Sequence, residues 1–315
     1  MTQLPETDAS ATAWQALPVA PNLLGESPVW HPREQVLYWS DIPGRQLHRW
    51  DPANHQHRAW AMDSETGCLA PLASGGLLLA QRHGLVKFDP ATGRSRPWLA
   101  PPYDPANERF NDGKVDPLGR LWVGTIYEPR QPPLATLMRL ERSGLQVITR
   151  DCTVSNGLAW SLDARTAYWS DTPAHCIYAF DLDAQGLPLG ERRVWHAFAK
   201  READAPLDTY GGRPDGAAVD AEGCYWSALF EGQRLVRIAP SGELLESVPL
   251  PVRCPTMPCF GGPDGRTLFV TTARHHRPEA ELAAQPLAGC VLYRRVEVPG
   301  APIPLADEAF LPPCP

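Results

Sequence analysis

Four oxygen-bearing side chains hold matching places in the sequence, each four positions ahead of an apolar residue: Glu26 before Trp30, Asn111 before Val115, Asn156 before Trp160 and Asp215 before Val219. Two carboxylates brought side by side repel and raise each other's pKa unless a cation compensates them. With amide oxygens beside them they suit a hard divalent ion, Ca2+, Mg2+ or Mn2+. The absence of His and Cys from the set makes Zn2+ and Fe2+ poorer fits. A competing view makes them turn residues, since Asn111-Asp112-Gly113, Asn156-Gly157 and Asp215-Gly216 are common turn sequences. Turns account for any one of the four better than for all of them together, and Glu26-Ser27-Pro28 is not a typical turn. A metal site is therefore the expectation.

Residues this far apart meet only if the chain repeats and places one position of each unit around a common axis. It does repeat. Tyr38-Trp39-Ser40-Asp41, Tyr168-Trp169-Ser170-Asp171 and Tyr225-Trp226-Ser227-Ala228 are near-copies, and looser versions stand at Leu77-Leu78-Leu79-Ala80, Leu121-Trp122-Val123-Gly124 and Leu268-Phe269-Val270-Thr271. The second residues of these six segments are 39 to 57 positions apart, the period of propeller blades with four strands each. An alternating apolar run follows several of the copies, at residues 46–51, 84–89 and 176–181, and a shorter strand precedes them, at residues 27–30, 157–160 and 216–219. The shorter strands are predicted to line the channel. In blades two and six the aligned position falls at Gly67 and near Thr256, which leave room rather than supply ligands. The 35 Pro and 25 Gly are spread evenly rather than gathered in a linker, as many short strands joined by turns require. Only residues 279–284 have helix-forming composition, too short a run to anchor a domain. The expected architecture is all-β: a six-bladed β-propeller with four-stranded blades around a central metal-containing channel. It spans residues 24–315 as one domain, and residues 1–23, through 13–18, are a candidate ring-closing segment.

A formal charge of -7 argues against a nucleic-acid partner. No stretch approaches the roughly 20 apolar residues that cross a bilayer, so no membrane association is expected. The first eight residues lack the basic and apolar regions of a secretory signal, which points to the cytoplasm. The eight cysteines contain no C-x-x-C pair and are expected to be small buried side chains in a reducing compartment. His275-His276 and His55-Gln56-His57 fall in predicted loops or outer strands and are taken as solvated. Asp41, Asp116, Asp171 and Asp220 recur at strand ends, where Asx turns are expected. The long span 195–213 is expected to form a rim over the channel mouth.

Gly25-Glu26-Ser27-Pro28-Val29-Trp30, Arg109-Phe110-Asn111-Asp112-Gly113-Lys114, Ser155-Asn156-Gly157-Leu158-Ala159-Trp160 and Pro214-Asp215-Gly216, with residues 255–262 and 270–274, resemble the senescence marker protein 30, gluconolactonase and luciferin-regenerating enzyme family. The similarity runs from about Leu24 to Leu292. It implies a six-bladed propeller with one divalent metal held by Glu26, Asn156 and Asp215, with Arg109 and Asn111 contacting substrate and Asp215 taking the proton of the attacking water. Some members carry a second acidic substrate contact after the Gly-Thr of blade three. Here Glu128, in Gly124-Thr125-Ile126-Tyr127-Glu128-Pro129, is the candidate for that place. The implied reaction is hydrolysis of a small sugar lactone, such as a glucono-, xylono-, arabinono- or galactonolactone, to its aldonic acid, by a monomer or weak dimer. The alternatives are a metal-dependent aryl ester or organophosphate hydrolase and a non-catalytic calcium-binding propeller. For Arg109 the alternative is a surface ion pair with Asp104 or Glu108.

Overall fold

The computed structural model describes residues 13–313. Cys314 and the signal-free leader expected at residues 1–8 lie outside the described residues. Six antiparallel sheets of four strands surround one axis. Their innermost strands are Gly25–His31, Thr66–Pro71, Glu108–Val115, Ser155–Trp160, Arg213–Val219 and Pro255–Gly261. The second strands are Val36–Asp41, Leu77–Gln81, Leu121–Tyr127, Thr166–Asp171, Tyr225–Phe230 and Thr267–Thr272, and they contain all six repeat segments read from the sequence. The third strands include Gln46–Asp51, Gly84–Asp89 and Cys176–Asp181. Inner strands of neighbouring blades pack against each other all the way round the ring.

The aromatic repeat is the mortar between blades. Both faces of each second strand are covered, so it reads as a near-continuous apolar run, and Trp39, Trp122 and Trp169 are fully buried. Each indole N–H still finds an acceptor: Trp39 in Asn22 Oδ1 (3.0 Å), Trp122 in Asp116 Oδ2 (3.0 Å), Trp169 in Ser155 Oγ (2.7 Å) and Trp226 in Asp220 Oδ2 (2.9 Å). Asp116 and Asp220 form the expected Asx turns, accepting from Leu118 and Glu222 N–H. Asp41 and Asp171 do something else: they accept from the backbone N–H groups of Leu23 and Leu24, and of Thr153 and Val154, pinning the chain as it enters the inner strand.

Every inner strand carries one extra residue relative to its neighbour, a β-bulge, and all six bulges lie at the same level. A bulge breaks strict alternation and re-aims side chains. The shifts fall between Glu26 and Val29, Phe110 and Gly113, Asn156 and Ala159, and Pro214 and Ala217, so the four aligned polar residues stand at these bulges and not in turns.

Gln15–Ala16 pairs with Tyr293 and Leu292, placing an amino-terminal strand at the outer edge of blade six. Beyond the last blade strand, Leu292–Arg295, the chain runs across the face opposite those bulges, bonding through Ala301 N–H to Val219, Ala306 N–H to Pro71 and Asp307 N–H to Gly119. The one α-helix among the described residues is Glu279–Ala284, and no described helix is long and apolar enough to cross a membrane.

Candidate functional site

A hydrogen-bonded chain of side chains crosses three blades at the level of the bulges. Arg109 donates to its neighbour's carbonyl at Phe110 and to Asn111 Oδ1, both at 2.9 Å. Asn111 Nδ2 donates to Asn156 Oδ1 (2.9 Å) and to the Ser155 carbonyl (3.0 Å). Asn156 Nδ2 donates to Thr172 Oγ1 (2.8 Å), whose hydroxyl donates to the Pro214 carbonyl (2.7 Å), one residue before Asp215. These partners fix both amides: a nitrogen can only donate, so the Asn156 oxygen is turned toward Asn111 and keeps a second lone pair. Asp215 and Asn156 are 6% and 4% exposed, Arg109 9%, while Glu26 and Asn111 keep more surface open to the channel.

Electrostatics ties Glu26 to this group from across the ring. Burial, then the charges of Asp215 and Asp112, push the Glu26 carboxyl well above its usual range, against the pull of the Ser27 N–H and Arg109. Burial and Asp112 likewise push Asp215 up to about 8, opposed by Arg213 and the Gly216 N–H. Asp112 is raised by burial, with Lys114 opposing. Its Oδ2 accepts from Leu158 N–H at 3.1 Å, but its Oδ1 is buried without a hydrogen-bond partner in the protein. Three carboxylates thus share one enclosed space with too little positive charge. Two of them, Glu26 and Asp215, with the amide oxygen of Asn156, are a donor set of the chemistry that fits a divalent cation. Among the described residues no three His, Cys, Asp or Glu side chains cluster as ligands by themselves. The candidate set of Glu26, Asn156 and Asp215 mixes two carboxylates with an amide.

Asp112 and Lys114, which the structure places beside the candidate site, were not singled out from the sequence. In a regular strand Asp112 would face away from Asn111, and only the bulge brings both near the channel. Lys114 Nζ reaches from blade three to the Ala217 carbonyl of blade five, lying across the channel beneath the acidic group. Gly67 has a different role from the one expected. A Cβ there would stand 2.3 Å from the Phe110 carbonyl oxygen, so this glycine admits the backbone of blade three rather than leaving space for a ligand. Thr256 turns into the wall, donating to the Gly25 carbonyl at 2.6 Å.

At the mouth Glu128 is gripped by Arg82 through two bonds of 2.8 and 3.0 Å and lies 3.6 Å from Arg109 Nε. Arg109 therefore pairs with Glu128 and Asn111, not with Asp104 or Glu108. From the 195–213 span, Tyr210 bonds through its hydroxyl to His175 Nε2 at 2.5 Å, with Arg213 close by.

Comparison with known proteins agrees with this fold. The sequence profile of the SMP-30/gluconolactonase/LRE-like region matches residues 24–274. A 6-deoxy-6-sulfogluconolactonase of Pseudomonas putida is 46% identical over 90% of this chain and 95% of its own length, and regucalcin of Danio rerio is 37% identical over 85% and 89%. Among solved structures, a calcium-binding regucalcin of Agrobacterium tumefaciens superposes with a TM-score of 0.86 at 29% identity, covering 94% of this chain and 97% of that one. With the profile covering most of the chain and every blade represented in the match, the protein belongs to the SMP-30/gluconolactonase/LRE-like family.

Proposed function

We propose that the protein is a metal-dependent sugar lactonase, with one divalent ion held by Glu26, Asn156 and Asp215. The observation that carries this is the set of buried carboxylates around Asn156 whose charge the protein leaves uncompensated. The relative named for a sulfogluconolactone and the calcium-binding structural neighbour support the substrate class and the ion. All-oxygen ligation favours Ca2+, Mg2+ or Mn2+. When bound, the ion supplies Lewis acidity toward the lactone carbonyl and its developing oxyanion.

The remaining work falls to the chain. Asp215 accepts the proton of the attacking water through its free carboxylate oxygen. The new C–O bond forms at the lactone carbonyl, the ring C–O bond breaks, and the proton passes to the departing ring oxygen. Arg109, a planar fork fixed by Asn111 and Glu128, holds sugar hydroxyls, and Asn111 both donates and accepts. Glu128 holds the Arg82 and Arg109 guanidinium groups at the mouth and contributes an acceptor to the substrate's outer hydroxyls.

Asp215→Asn tests the proposal directly. With gluconolactone and the metal found by elemental analysis of protein purified without chelator, turnover falls by about a thousandfold, within the range for loss of a general base, while the melting temperature in chelator does not fall, since the substitution removes a carboxyl that opposes folding there. A near-normal rate would overturn the site. The panel includes xylonolactone, 6-deoxy-6-sulfogluconolactone and an aryl ester, and a preference for the aryl ester would sink the sugar-lactone assignment.

A further inference from the structure

A cavity of about 430 Å³ lies at the end of the channel opposite the acidic group. Its wall is built from all six inner strands, and Ala301, Pro302, Ile303 and Pro304 of the carboxy-terminal run flank it. The lining is apolar, with Leu69, Val115, Trp160, Val219 and Phe260 prominent, and Lys114 is its single charged residue. Exposed Pro117 and Leu162, the latter 53% exposed, stand at its edge, so the apolar lining continues to the surface.

Lys114 separates the two compartments. Its stem starts on blade three and its ammonium bonds the Ala217 carbonyl of blade five. That uses one of three donors. Asp112 acts on it electrostatically from the acidic side, but among the described residues no carboxylate forms an ion pair with it, and none lines the cavity. Burial weakens the ammonium form, with Asp112 opposing. A cation with spare donors at the end of an otherwise apolar pocket complements a ligand with one anionic head and a hydrocarbon tail. Pockets of about 300–1,000 Å³ with few polar groups are typical of small-molecule sites.

We propose that this cavity binds a medium-chain aliphatic monocarboxylate, its head accepting from Lys114 Nζ and its tail lying against Val115, Trp160 and Phe260. The site is separate from the lactone site and does not depend on that assignment.

Calorimetric titration of the full chain with octanoate, decanoate and decanol tests it. Saturable one-to-one binding is expected, roughly tenfold tighter for decanoate than octanoate because two further methylenes are buried, and at least about tenfold weaker for decanol, which lacks the charge. Lys114→Met removes the preference for decanoate over decanol. Leu162→Asp, an exposed substitution that leaves the core intact, weakens decanoate binding by placing a like charge at the opening. Absence of saturable heat, equal affinity for decanol and decanoate, or decanoate binding unaltered by Leu162→Asp overturns the proposal. If Lys114→Met fails to fold, the decanol comparison on the unmodified protein decides.

Discussion

At the residue scale, the acidic end of the channel is a problem of charge. Asp112 and Asp215 raise the proton affinity of Glu26, Asp112 raises that of Asp215, and Asp112 adds a buried oxygen without a hydrogen-bond partner among the described residues. Each carboxyl that must ionise here opposes folding of the metal-free protein. Asp112→Asn keeps an oxygen for the Leu158 N–H while removing one charge. In chelator it should gain at least about 1 kcal/mol in urea unfolding, near the worth of one pKa unit. Calorimetry should show divalent-ion affinity falling about tenfold, as for loss of a group supporting a metal site. Lower stability with unchanged ion affinity would contradict the charge account. Asn156 illustrates a different economy, since Thr172 and Asn111 take up its amide so that its oxygen faces one way.

At the scale of single elements, the six bulges decide what the inner strands present. In blade four the bulge needs Gly157 at φ +64, and a Cβ there would meet Ser170 Oγ and Tyr225 OH at 2.5 Å and the Asp215 carbonyl at 3.0 Å. Tyr225 OH donates to the Gly157 carbonyl at 2.7 Å, so blades four and five are locked together at this point. Gly157→Ala combines left-handed strain with crowding against two buried hydroxyls and should cost about 2 kcal/mol or more. Because one of the atoms met is the carbonyl of Asp215 itself, turnover should fall beyond what the stability loss explains, measured well below the melting temperature. Unchanged kcat with reduced stability would separate the bulge from the site.

At the scale of the whole molecule, the ring closes at blade six through the paired strand Gln15–Ala16, through backbone bonds of Leu17, Asn22 and Leu23 to Val291, Gly289 and Arg274, and through the side chains around them. Leu17 is 4% exposed and packs with Trp30, Trp39, Trp50 and Phe269, while Trp14 donates to the Pro249 carbonyl of blade five at 2.8 Å. The closure therefore combines backbone bonds with the packing of a buried leucine against four aromatic rings. Leu17→Ala should cost about 3 kcal/mol, the usual penalty for truncating a buried leucine. Gln15→Ala, which loses one exposed bond to Tyr293 OH, should cost under about 1 kcal/mol. Urea denaturation of the two variants compares them directly, and equal effects would place the closure in the backbone pairing instead.

Blade number and strand order were legible because burial between blades forces the same aromatic strand to recur, from Tyr38-Trp39 to Leu268-Phe269, and covering both faces leaves a long apolar run. The aligned polar positions were legible for the same reason: one place in a repeating unit is one place on the ring. What lies at that place was only partly readable. Asp112 escaped because alternation assigns it to the wrong face until a bulge is present, and Gly67 was misjudged because its neighbour, the Phe110 carbonyl, belongs to another blade. Lys114 showed its place only once Ala217 of a non-adjacent blade stood opposite it. Sequence patterning determined the repeat and the residue types offered to the axis, since both follow from local periodicity and burial. The tertiary structure alone decided which side chains meet, because contacts across the channel join residues with no local relation in the chain.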